Sequence, residues 1–202
     1  MIDKIREIIL SNKVIDGYKI IETRTESNEL FFIKKNVDMD RAKSVHHFKV
    51  NIYKDFEADG ISYKGSSTVN IHPTMKISEI EKVLEDAVIA AQYVRNPYYP
   101  LTRTVEKYET MEASNFSKKS LSYSMNEITK TIYKYDNYEK GGINSCEIFL
   151  NKVYTRIVNS EGIDVDSVDY DCMIEFITTW KEDGEEVELY KALNFHIWIL
   201  ML

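Results

Sequence analysis

The chain has 202 residues, 44% of them hydrophobic and 29% charged, with a formal net charge of −7. That length holds one large domain or two small ones, and the composition is that of a soluble globular protein. The interspersed, acidic balance argues against a nucleic-acid binder, which usually carries a basic face, and no stretch approaches the roughly 20 apolar residues of a membrane span. Neither nucleic acid nor a membrane is therefore an expected partner.

The N-terminal segment is amphipathic and carries acids, unlike the uninterrupted apolar core of a signal peptide, so the cytoplasm is the expected location. Ile2, Ile5, Ile8 and Ile9 recur at helical spacing and predict a short first helix ending near Ser11 and Asn12. Residues 18–25 and 30–37 read as two strands with Ser27-Asn28 as their turn. From Val45 to Phe56 the pattern alternates, with Phe48, Val50, Ile52 and Phe56 on one face; Asp59-Gly60 supplies a hairpin turn, and residues 61–71 return. Ser78 and Glu81 have capping-box spacing. Ile80, Val83, Leu84, Ala87, Val88, Ala91 and Val94 then form the apolar face of a helix that ends at Asn96-Pro97.

Residues 97–120 are polar with little periodicity and read as a connector. Ser124 and Glu127 suggest a second capping box, opening a helix that puts Ile128, Ile132 and Tyr135 on one side and stops at Gly141-Gly142. A meander follows, with turns expected at Asn151-Lys152, Asn159-Ser160-Glu161-Gly162 and Asp183-Gly184. Its long strand aligns Val168, Tyr170, Cys172, Ile174, Phe176 and Trp180 on a packed face, and Asp169, Asp171 and Glu175 on a wet one. The expected fold class is α+β: two units, residues 1–96 and 121–202, each an antiparallel sheet with packed helices.

Candidate chemistry is sparse. His46, His47, His72 and His196 form no His-Glu-x-x-His motif, and the adjacent His46 and His47 would point to opposite faces of a strand. Asp164, Asp166, Asp169 and Asp171 lack the glycine turn and closing glutamate of a calcium loop and read as a solvated strand face. Cys146 and Cys172 sit in apolar strand patterns, as two buried reduced thiols would. Gly60 and Gly65 have no following Lys-Ser/Thr, so they indicate no phosphate loop. Tyr98, Tyr99, Tyr133, Tyr135 and Tyr138 either cover a core or line a peptide groove. Asn115-Phe116-Ser117 matches a glycosylation sequon, which has no meaning without secretion.

Two regions resemble the TldD/PmbA family, relatives of zinc metalloproteases. One is residues 18–96, with Asp59-Gly60, Gly65-Ser66-Ser67 and the helix through Ala87-Val88-Ile89-Ala90-Ala91. The other is Val153–Phe195, where the Asn159-Ser160-Glu161-Gly162 turn precedes a long strand. The strand from His47 to Tyr53 lacks the glycine and arginine that the family commonly carries there. The resemblance implies proteolysis of small or unfolded peptides by a two-subunit assembly in which one subunit type holds zinc through a His-Glu-x-x-x-His motif.

This sequence lacks that motif. It reads as the N-terminal domain (1–96) and an incomplete central domain (121–202) of such a protein. It is expected to contribute no catalytic, cofactor-binding or metal-binding residue, with zinc expected only in the missing part of a catalytic subunit. Its expected part is dimerisation, as a homodimer or with a TldD/PmbA-like subunit, and access for a peptide substrate. A free-standing truncated interaction or regulatory module is the alternative, and hydrolysis through Cys146 or Cys172 a third reading. The apolar tail of residues 196–202 reads as a final buried strand or as the mark of a shortened or frame-shifted gene.

Overall fold

The computed structural model describes residues 1–104 and 114–197. In chain order the elements are α1 (Ile2–Ser11), β1 (Gly17–Ile33), β2 (Asn36–Ala58), β3 (Ile61–Ile71), α2 (Ile77–Ala91), α3 (Leu121–Tyr133), β4 (Gly141–Asn159), β5 (Asp164–Glu182) and β6 (Glu185–Phe195), with a 3-10 turn at Asn115–Lys118 before α3. The fold is α+β. All six strands join one sheet in the order β3-β2-β1-β4-β5-β6, where the sequence suggests a separate sheet in each half. The reason is that β1 and β4 pair directly. Ser160 N–H donates to the Tyr18 carbonyl and Lys34 N–H to the Asn144 carbonyl. One index rises as the other falls, so this pair is antiparallel.

Contacts divide the chain into two compact units, Met1–Arg24, His46–Thr110 and Tyr154–Ser167 in the first, and Thr25–Val45, Met111–Val153 and Val168–Leu202 in the second. In the first, Ile5 and Ile9 of α1 and Ile80, Leu84 and Ala87 of α2 are buried with Ile20, Phe48, Val50, Ile52 and Ile71 from the strands. Each such isoleucine, leucine, valine or phenylalanine side chain contributes about 1.5–3 kcal/mol on burial. In the second, Met125 and Ile128 of α3 are buried with Phe32, Cys146, Ile148, Leu150, Cys172 and Ile174.

Both Asp-Gly hairpins form as expected. Ala58 pairs with Ile61 and Glu182 with Glu185, and Asp59, Gly60, Asp183 and Gly184 all take positive φ, as this tight turn requires. Two other expected turns are absent. Ser27 is buried in the middle of β1, and the chain instead reverses after Ile33, where Lys34 adopts φ 55°. That reversal is held by the Tyr133 hydroxyl, which donates to the Lys34 carbonyl at 2.7 Å. Asn151 continues β4, its amide donating to the Asp171 carboxylate at 2.8 Å. In both places strand pairing overrides local turn propensity.

The helix caps also fall elsewhere. Glu79 accepts the Lys76 N–H at 2.7 Å, so α2 starts before Ser78; the Lys76 ammonium has no lone pair with which to reciprocate. Ser120 caps α3 by accepting the Tyr123 N–H at 3.2 Å, leaving Ser124 inside the helix. The helix stops at Tyr133, well before Gly141-Gly142, and Tyr135 lies in the turn beyond it. Among its described residues the connector holds an antiparallel bridge from Pro97 to Tyr63 and the 3-10 turn; its residues 105–113 and the tail residues 198–202 lie outside them. No described helix is long and apolar enough to cross a membrane.

Candidate functional site

The residues singled out for chemistry are not brought together. His46 Nε2 lies 2.8 Å from the Glu22 carboxylate and its ring 4.8 Å from Phe48; His196 Nδ1 lies 3.1 Å from the Tyr170 carbonyl. Asp164 is held by both donors of Arg156, at 2.8 and 2.9 Å, and Asp171 by Asn151. Asp166 and Asp169 are exposed. No group of three or more metal-ligating side chains is found among the described residues. Cys146 and Cys172 are free and buried, and burial pushes both thiols up to about 12, with Tyr133 pulling weakly the other way at Cys146. A thiol held that high is protonated at neutral pH and a poor nucleophile.

Two buried carboxylates went unnoticed in the sequence. Glu22 takes Arg24 Nε at 2.8 Å and Nη2 at 2.6 Å, and Glu29 takes Arg41 Nε at 2.6 Å together with Lys43. Alternation alone gives no signal that an acid faces inward. Burial by itself would raise the Glu29 carboxyl, but the hydrogen bonds and charges of Lys43 and Arg41 outweigh it and hold the group below its ordinary value of 4.5. A depressed folded-state value means stability that is present above 4.5 and lost as pH falls through the folded value. Glu29→Gln is expected to cost about 1–2 kcal/mol at pH 7, since its two cations are half-exposed and partly screened. The difference in Tm from the parent should narrow as pH falls below 4.5 and on through the lowered folded value; a constant gap from pH 7 to pH 3 would contradict this charge pairing.

The geometry with the clearest binding character is an apolar groove of about 680 Å³ in the second unit. Its floor comes from one face of the β5–β6 hairpin, where Trp180 pairs with Val187, Thr178 with Leu189 and Ile174 with Leu193. Its wall comes from Ile132 at the end of α3 and from Tyr135 and Tyr138 in the turns that follow. The position of Gly141 fixes this corner, because a Cβ there would lie 2.3 Å from the Thr179 carbonyl oxygen. Asp136 accepts the Ile143 N–H at 3.0 Å and pins the loop to β4. Tyr138 meets the Trp180 ring edge-on at 6.5 Å.

These side chains stay open to solvent: Val187 is 64% exposed, Leu189 53% and Trp180 43%. The expected packed face of β5 thus holds from Tyr170 to Ile174 and fails at Val168 and Trp180, each 43% exposed. The two readings of the tyrosines separate here. Tyr135 and Tyr138 line the groove, Tyr133 packs on Phe32, and Tyr98 lies under the Lys64 ammonium in the first unit. Such a groove can bury apolar side chains of another chain.

No protein-family model matches the sequence, and no curated protein does. Solved structures do match. TldE from Thermococcus kodakarensis is similar over 96% of this chain and 43% of its own, with TM-score 0.69 and 15% identity. The fold is TldE-like. A candidate modulator of a DNA gyrase from Thermotoga maritima matches with TM-score 0.68 and 14% identity, over 96% of this chain and 42% of its own. One from Bacteroides thetaiotaomicron matches with TM-score 0.65 and 11% identity, over 96% and 44%. The sequence-level resemblance to TldD/PmbA proteins is thereby borne out as a likeness of fold. This chain spans less than half the length of each of the three, and the TldE-like fold encompasses both units and nearly every described residue.

Proposed function

We propose that this chain is a docking module of a TldD/PmbA-like peptide-processing assembly, without catalytic groups of its own, that takes part in dimerisation and in peptide access. The observation that carries this reading is the exposed apolar row of Trp180 on β5 and Val187, Leu189 and Leu193 on β6, the last strand in the sheet order. A terminal strand with unpaired N–H and C=O groups and an apolar face is a template for another strand. The TldE-like fold supports the choice of assembly, and the resemblance in the sequence supports peptides as what it handles.

Sedimentation of the whole chain tests the reading, alone and mixed with a TldE-type subunit. Association with a copy of itself or with that subunit is expected, weakened at least tenfold in Leu189→Asp, whose site is already exposed, so that the far-UV spectrum should not change. A monomer that ignores the subunit, or association indifferent to Leu189→Asp, would count against it. Uptake by the longer subunit without self-association would favour the interaction-module form of the proposal.

A further inference from the structure

A second cavity in the same unit, of about 600 Å³, opens at the N-terminal turn of α3. We propose that it binds the oxyanion of a small ligand, a phosphate or a carboxylate. Tyr170 is the reason. It is 8% exposed, its ring packs toward Phe116, and its hydroxyl has no hydrogen-bond partner among the described residues. Asn51 Oδ1 is the one side-chain atom among those residues that is both sealed from solvent and unpaired. The Tyr170 hydroxyl therefore keeps an opening, and the cavity that Tyr170 lines supplies it.

What surrounds that oxygen favours negative charge. Ser120 Oγ accepts the Tyr123 N–H and the Ser120 carbonyl the Ser124 N–H. The N–H groups of Leu121 and Ser122, first in a helix of 13 residues, then have no helical acceptor. A helix start with free N–H groups is an anion-binding geometry. Lys119 and Lys152 line the cavity with the hydroxyl-bearing Ser117 and Ser27. Ser27 is itself only 5% exposed and lies on this wall of the cavity. Lys43 also lines it but is committed to Glu29. The one acid in the lining, Glu26, forms a long, solvent-screened ion pair with Lys152 at 3.9 Å, so Lys119 is the lining cation that no carboxylate among the described residues holds.

This proposal is independent of the groove at β6. Calorimetric or NMR titration of the whole chain with inorganic phosphate, and separately with acetate, tests it against chloride at matched ionic strength. Saturable binding of at least one of the two is expected, and the preferred anion identifies the ligand as a phosphate ester or a carboxylate. Tyr170→Phe should weaken it at least fivefold with Tm unchanged, because the hydroxyl it removes holds nothing in the fold. The exposed Lys119→Glu should abolish it. Absence of saturable binding of either anion, or equal binding in both variants, would overturn the proposal.

Discussion

Gly65→Ala is expected to destabilise the protein by about 2–3 kcal/mol or more, the upper part of the range for overpacked interiors. The glycine lies in β3 where the end of α2 crosses closest. A Cβ there would sit 1.9 Å from the Ala91 carbonyl oxygen and 3.1 Å from that of Val94. Both obstacles are backbone, so no side-chain rotation relieves the clash. The strand on the other side cannot give way easily, since Gly65 pairs with Lys54 in the β2–β3 ladder. Either α2 lifts from a face that includes Leu84, Ala87 and Val88, or β3 leaves its register. Denaturant unfolding with an unchanged m-value and a lowered midpoint is the expected observation. Stability within 0.5 kcal/mol of the parent, about the scatter of neutral surface changes, would refute the close approach.

Asn159→Ala is the second large effect, expected at about 2–4 kcal/mol from the hydrogen-bonding groups it strands. Asn159 Oδ1 accepts the N–H groups of Glu161 and Ile163, both at 2.9 Å, and its amide donates to the Thr102 carbonyl at 2.7 Å. The residue is 8% exposed, so water replaces these bonds poorly. The turn is thus closed by a side chain acting as a third strand of backbone, with Gly162 at φ +88° completing the reversal. Asn159→Asp retains both accepted bonds and loses the donor, so it should fall between parent and alanine in thermal melts. An alanine variant as stable as the aspartate would show that the Oδ1 bonds carry little.

Most of the framework could be read from residue patterns. Asp59-Gly60 and Asp183-Gly184 announced their hairpins because left-handed turns demand those residues, and the isoleucines of α1 announced a buried face. The failures share a cause. Ser27-Asn28 and Asn151-Lys152 have turn chemistry, yet lie in strands because neighbouring strands satisfy their backbone and, at Asn151, an Asp171 carboxylate takes the side chain. Ser78 and Ser124 had the right spacing for caps, but Glu79 and Ser120 reach the free N–H groups first.

The groove was half visible. Val187, Leu189 and Leu193 alternate as a strand face should, and Trp180 joined an apolar row. That nothing covers them depends on where α3 ends, a property of packing rather than of the β5–β6 segment itself. Tyr170 was likewise legible as a packed residue, while its unpaired hydroxyl was not.

The β1–β4 pairing sets the order in which the chain can come together. Tyr18 and Ser160 meet across 142 residues of sequence, whereas β2 with β3 and β5 with β6 are joined by turns of two residues. Closing the long span loses entropy before any strand contact compensates it, which places this topology among slow folders. During synthesis β1, β2 and β3 leave the ribosome with α2 before β4 exists. The inner edge of β1 must then wait, hydrogen-bonding groups bare, for a partner still being translated.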